Sequence, residues 1–246
     1  MYRKIGLKMA RSYSPNFNLQ KRLKNRIKFI IIHYTGMRRE SAAVKRLQNS
    51  KSKVSSHYLI KNNGEIINLV PDLYEAWHAG VSSWKHFKSL NKSSIGVEIT
   101  NPGHQHGYKK FSKKQIFSLQ RLLYILVRKY KIKKKYILGH SDISPGRKKD
   151  PGEKFPWEML AKNKLSFWHN LDQEKIKKLR EKYLFSKNDE NLFLKNLHKI
   201  GYNDIKRFKS HKNIRYLTLA FQRRFRQSLV NGKIDKECLL ISKNLL

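Results

Sequence analysis

This chain is poor in acidic residues and cysteine and has no long apolar runs, and each scarcity excludes a class of protein. One of its 246 residues is cysteine, Cys238. A single thiol forms no internal disulfide and builds no cysteine cluster, so any metal must be held by His, Asp or Glu. No stretch approaches the roughly 18 apolar residues of a membrane span. The opening, MYRKIGLKMARSYSPNFN, is basic but lacks the apolar run of a secretory signal, and the run at 29–32 is too short to supply one. The expectation is therefore a cytoplasmic protein, with a periplasmic or wall-associated one as the alternative. Only 17 residues are acidic against 55 Lys and Arg, a net charge of +38. Such a field favours polyanions, either nucleic acid or an acidic wall polymer. Much of it is scattered lysine that a solvated surface also explains. No groove-reading motif or basic face with interleaved aromatics is present, so nucleic acid is not the expected partner.

The chain is 39% hydrophobic, a globular composition. Its length suits one sizeable core and a small second domain. Residues 1–27 read as a basic arm, 28–170 as a catalytic domain, 171–187 as a linker and 188–246 as a helical domain. Phe29-Ile30-Ile31-Ile32 has the β-branched, continuous pattern of a strand buried on both faces. Two strand candidates at 58–60 and 66–70 flank Asn62-Asn63-Gly64, a hairpin turn. Further strands are expected at 95–99 and 136–138, and a helix over 41–48. Ser112 and Gln115 fit a capping box, followed by Ile116, Leu119, Leu122, Leu123 and Leu126 at helical spacing. Strands and helices in this order predict an α/β fold, a mixed central sheet flanked by helices. Beyond Trp168 strand signals stop. A helix ending at Gly201, an apolar stripe of Ile214, Leu217, Ala220, Phe221 and Phe225, and a short helix capped by Asp235 predict a C-terminal three-helix domain.

Three possible ligands stand at strand ends or in the loops beyond them: His33, His140 and Asp150. Two histidines and a carboxylate leave a fourth zinc position open for water, the pattern of hydrolytic sites. Zinc lowers the pKa of such a water toward about 7 and polarises a carbonyl. Glu98, on its own strand, is the candidate proton acceptor. Lys148, two residues before Asp150, can steady a developing oxyanion. Each residue taken singly has a plainer reading: a hydrogen-bonded structural histidine, an aspartate capping the Pro151-Gly152 turn, a glutamate in an edge ion pair, one lysine among many.

Five separated segments, in order, carry a family resemblance: Ile32-His33-Tyr34-Thr35-Gly36, Ser55-Ser56-His57-Tyr58-Leu59-Ile60, Ala76-Trp77-His78-Ala79-Gly80, Ser94-Ile95-Gly96-Val97-Glu98, and Gly139-His140 through Pro151-Gly152. Together, over about 28–160, they resemble the N-acetylmuramoyl-L-alanine amidases of the AmpD/AmiD group, which share a fold with phage amidases and peptidoglycan-recognition proteins. The resemblance implies His33, His140 and Asp150 as ligands of one zinc ion, and Glu98 and Lys148 as catalytic. It implies hydrolysis of the amide between N-acetylmuramic (or 1,6-anhydro-muramic) acid and L-alanine, on peptidoglycan or muropeptides; a monomer is expected. Trp77, His78 and Tyr34 are expected to contact substrate, His57 to be structural, and His86, His104 and His106 to lie on the surface. The C-terminal helices resemble a three-helix peptidoglycan-binding domain.

Overall fold

The computed structural model describes residues 9–183, 186–203 and 210–246. Its strands are β1 (Met9–Arg11), β2 (Phe17–Asn18), β3 (Phe29–Tyr34), β4 (Tyr58–Ile60), β5 (Ile66–Asn68), β6 (Glu75–Ala76), β7 (Ser83–Trp84), β8 (Phe87–Lys88), β9 (Ser94–Ile99) and β10 (Ile137–Gly139). Six of them form one sheet in the order β1-β5-β4-β9-β3-β10. The β4–β5 hairpin is antiparallel and the other pairings are parallel, so the sheet is mixed. Gly64 turns the hairpin at φ +84°, and a Cβ there would stand 2.8 Å from the Lys114 carbonyl oxygen.

The alternation of side chains along the central strands decides which face carries chemistry. Ile30 and Ile32 of β3, Ile95, Val97 and Ile99 of β9, and Tyr58 and Ile60 of β4 pack beneath helix α2 (Lys113–Tyr130). That helix presents Ile116, Leu119, Leu122, Leu123 and Leu126, and starts at the capping box of Ser112 and Gln115. Each fully buried Leu or Ile of this layer stabilises the fold by about 1.5–3 kcal/mol. The opposite face receives the intervening residues: His33 of β3, His57 before β4, and Ser94, Gly96 and Glu98 of β9. Near the C-terminal ends of three parallel strands this face becomes polar. Helix α1 (Glu40–Gln48) follows β3.

The arm expected at 1–27 is woven into the domain from Met9 onward, its residues 1–8 lying outside the described residues. β1 is the sheet edge and β2 pairs with β6. Arg22 donates to the carbonyls of Asp72, Asn91 and Ser94, tying this segment under the site face. The linker expected at 171–187 carries helix α5 (Gln173–Lys177), whose Ile176 is buried, and Arg180, paired with Glu237. After α3 (His140–Ile143) and α4 (Trp157–Lys162), the C-terminal helices are α6 (Lys187–Ile200), α7 (His211–Phe225) and α8 (Lys236–Asn244). Gly201 closes α6, and Asp235 caps α8 through the Cys238 N–H. Phe193, Leu197, Leu217, Phe221 and Phe225 share one continuous core with Phe29, Ile31, Leu138 and Ile143 of the sheet layer. The module is thus an outgrowth of the same core. No helix of the described residues is long and apolar enough to cross a membrane.

Candidate metal centre and active-site cleft

A cleft of about 610 Å³ opens over the strand ends, lined among others by His33, Tyr34, Trp77, Glu98, His140, Lys148 and Asp150. Three donor atoms converge at its floor. His33 Nδ1 and His140 Nδ1 are 2.9 Å apart, and Asp150 Oδ2 is 3.1 Å from each. All three residues are buried. They come from different elements: His33 from β3, His140 from the first residue after β10, and Asp150 from the loop beyond. The Ser141 N–H donates to the Asp150 carbonyl at 2.8 Å, which folds that loop back onto the turn carrying His140.

The hydrogen bonds around the rings fix which nitrogen faces inward. His140 Nε2 lies 3.0 Å from the Ala79 carbonyl, which can only accept, so Nε2 carries the hydrogen and Nδ1 is left to offer a lone pair. For His33 the chain is longer. The Ser94 hydroxyl donates to the Leu90 carbonyl at 2.6 Å, so its oxygen must accept from His78 Nε2–H at 3.1 Å. His78 Nδ1 then accepts from His33 Nε2–H at 3.0 Å, and the free lone pair of His33 is on Nδ1, facing Asp150. Burial, with the neighbouring His140 second, lowers His33 to a pKa of about 4 and keeps this ring neutral. Burial likewise holds His78 well below 6.5.

Lone pairs converging at this range repel unless a cation lies among them, and a His₂Asp donor set suits zinc. A tetrahedron with bonds of about 2.0–2.1 Å has edges of roughly 3.3 Å, near the separations found here. Among the described residues, this is the one group of three or more His, Cys, Asp or Glu placed to hold a metal ion. Glu98 adjoins it as the register partner of His33. Its Oε2 is sealed from water with no hydrogen-bond partner. Burial, reinforced by Asp150 and opposed by Lys148, raises Glu98 to a pKa of about 8. A half-buried carboxylate with one sealed, unused oxygen at the cleft floor is equipped to exchange a proton.

Other expected residues take different places. Trp77 is half-buried in the cleft wall, its indole N–H bonded to Asn18 Oδ1 at 3.0 Å. Tyr34 lines the same cleft, and its hydroxyl meets His104 Nδ1 at 2.9 Å. His78, expected to contact substrate, lines the cleft as well. Both of its ring nitrogens are engaged by His33 and Ser94, and the ring occupies space that Gly96 leaves: a Cβ there would be 2.5 Å from His78 Cγ. It also braces His33. His57 is fully buried beside it; its Nδ1 accepts the Gly96 N–H, replacing a ladder bond of the sheet. His104 was expected on the open surface. It joins Glu153 to Tyr34 through its two nitrogens and stacks on Tyr108. No local pattern signals that role, because its partners lie 49 and 70 positions away.

Residues 23–153 match the Amidase_2 family, described as N-acetylmuramoyl-L-alanine amidase. The chain is 35% identical to the N-acetylmuramoyl-L-alanine amidase AmiD of Escherichia coli K12 over 233 residues, 90% of this chain and 83% of that protein. It is 44% identical over 107 residues to the 1,6-anhydro-N-acetylmuramyl-L-alanine amidase AmpD of Haemophilus influenzae, 43% of this chain and 56% of that one. Among solved structures it superposes on E. coli AmiD in complex with the substrate anhydro-N-acetylmuramic acid-L-Ala-D-gamma-Glu-L-Lys, with a TM-score of 0.79 and 34% identity over 90% of this chain and 89% of that one. It also superposes on AmpDh3 of Pseudomonas aeruginosa in complex with an anhydromuramic pentapeptide, with a TM-score of 0.77 and 30% identity over 96% and 94% of the two chains.

Proposed function

The chain belongs to the N-acetylmuramoyl-L-alanine amidase family, and from that premise we propose how its site works and on which substrates. The activity of the family is hydrolysis of the amide joining N-acetylmuramic acid to L-alanine. The observation that carries the reading is the convergence of His33, His140 and Asp150 beside Glu98, whose Oε2 has no hydrogen-bond partner. In this proposal the three residues hold one zinc ion per chain, and the protein acts as a monomer. Zinc in such a site lowers the pKa of a water toward about 7 and polarises a carbonyl.

The chain's own groups do the rest. Glu98, ionised when the site is charged, accepts the proton of the attacking water and delivers it to the amine of L-alanine as the C–N bond breaks. Lys148, on the cleft wall, steadies the negative charge on the carbonyl oxygen. Trp77 and Tyr34 offer aromatic surface to the sugar and peptide. The ligands in the AmiD and AmpDh3 complexes support 1,6-anhydro-muropeptides as substrates alongside intact peptidoglycan. For the C-terminal helices the same premise supports peptidoglycan binding, tested by sedimenting a Glu98→Gln protein with sacculi.

The test of the reaction is incubation with intact sacculi and with anhydro-muropeptides, with and without chelator, and mass spectrometry of the products. Release of free peptide that stops on chelation is expected. Undiminished release by verified metal-free protein overturns the zinc reading. Cell fractionation decides between the cytoplasm expected from the sequence and the wall-associated alternative.

A further inference from the structure

Two residues after His140, Asp142 turns its carboxylate away from the cleft, and its side chain is 1% exposed. Its own turn supplies one partner, the Gly139 N–H, 2.7 Å from Oδ2. The other two come from the C-terminal module. Arg224 of α7 donates from Nη1 to Oδ2 at 2.6 Å, and Tyr202, just past α6, donates its hydroxyl to Oδ1 at 2.7 Å. Arg224 Nη2 reaches the Ile137 carbonyl at 3.0 Å, so one guanidinium clamps both the first residue of β10 and the turn that follows that strand. Its Cζ lies 4.2 Å from the Trp157 ring centre.

A buried carboxylate that loses such partners destabilises its surroundings strongly. Here the surroundings are the metal turn. The α3 segment has four residues, too few to hold its shape unaided. His140 begins it, Ser141 ties it to Asp150, and the Ser144 carbonyl accepts the Lys148 N–H.

We propose that the C-terminal module is a positioning part of the metal centre: Arg224 and Tyr202 hold Asp142, and Asp142 fixes the turn that presents His140 and anchors the loop of Lys148 and Asp150. The inference rests on the metal-site reading above and is separable from it. A module that served wall binding alone would need no polar clamp on this turn.

The test uses full-length Tyr202→Phe and Arg224→Lys proteins, with Phe193→Leu as a control that thins the same module's core without touching Asp142. Zinc affinity is read by competition with a chromophoric chelator, and kcat and KM on an anhydro-muropeptide. Lysine cannot serve Asp142 and Ile137 together, so Arg224→Lys is expected to bind zinc about tenfold more weakly. Tyr202→Phe, which deletes one hydroxyl and keeps the packing, is expected to weaken zinc binding in the same direction. In both, kcat should fall while KM holds. Phe193→Leu should lose thermal stability and keep native zinc affinity. Native zinc affinity in Tyr202→Phe and Arg224→Lys overturns the inference and leaves the metal site standing, as does an equal loss in Phe193→Leu. Native protein that takes up no zinc overturns both.

Discussion

His33 and Glu98 are direct register partners on adjacent parallel strands, so a ring of the His33–His140–Asp150 cluster and a half-buried carboxyl stand side by side on one face of the sheet. The pairing separates two roles that mutation can tell apart. Glu98→Gln keeps the shape and removes the proton acceptor. Loss of a general base costs about 10²–10⁴-fold in rate. The expected outcome is a kcat lower by that factor with one zinc still bound per chain, read by steady-state kinetics and metal analysis on the same sample. Full zinc loss with the rate would assign Glu98 to the ligand set instead.

Lys148 opposes the upward shift of Glu98 and lines the cleft. Lys148→Met keeps the stem and deletes the charge. Removal of one oxyanion donor costs about 10²–10³-fold in kcat. KM should change little, because the charge matters most where the oxyanion forms. A rise in KM at constant kcat would make Lys148 a substrate-binding residue.

How much of this was legible beforehand follows from the range of each interaction. The apolar run of β3, the capping box of α2 and the glycine turn of the hairpin are local signals, and the structure has them where the residues say. The candidate ligand residues were picked through motif order, since His33 and His140 lie 107 positions apart yet meet only because β3 and β10 are neighbours. Strand order is a long-range property that no local pattern carries. The contact of His78 with His33, beyond the cleft that it lines, is long-range in the same way. Its neighbours in sequence, Trp77 and Ala79, suggest a cleft wall, while Gly96, on another strand, opens the space that draws the ring inward. The segment from Met9 to Arg26 looked like an arm because it is polar. Its attachment runs through backbone carbonyls, which composition does not reveal.

Glu98 also sets a pH dependence for the metal-free fold. Its pKa rises from an ordinary 4.5 to about 8 on folding, chiefly through burial. Between these values the unfolded chain has lost the proton that the folded chain keeps, so stability falls as pH rises, by about 1.4 kcal/mol per pH unit from this group. Above about 8 both states are ionised and the contribution is gone. His33 and His57 act oppositely. Burial lowers them from 6.5 to about 4 and about 3, so their contribution is full above 6.5 and is lost as pH falls toward those values. Metal-free native protein should therefore melt at lower temperature at pH 8 than at pH 6.5, and Glu98→Gln should flatten that decline while leaving the acid-side loss. Circular dichroism melts of both proteins from pH 4.5 to 8.5 check this; identical alkaline slopes would remove Glu98 as its cause.

The longest-range prediction concerns Ser94, whose hydroxyl touches neither substrate nor metal ligand. It donates to the Leu90 carbonyl and so compels His78 to donate from Nε2, which in turn leaves His33 Nδ1 free of hydrogen. Ser94→Ala deletes the acceptor that holds His78 in this tautomer. His78 can then place its hydrogen on Nδ1 and donate to His33 Nε2, which sends the His33 hydrogen to Nδ1, into the ligand cluster. A ligand that must first give up that hydrogen binds a cation more weakly, and loss of an outer partner typically costs about 10–100-fold in metal affinity. Zinc affinity should fall by at least about tenfold while the far-ultraviolet spectrum stays native, because Ser94 is buried beside other supporting contacts. Ser94→Thr, which retains the hydroxyl, should restore most of the affinity. ¹⁵N chemical shifts of the imidazole nitrogens in metal-free protein read the tautomer directly: His33 should carry its hydrogen on Nε2 in the native chain and shift toward Nδ1 in Ser94→Ala. A His33 tautomer unchanged by the substitution would break the relay at its first link.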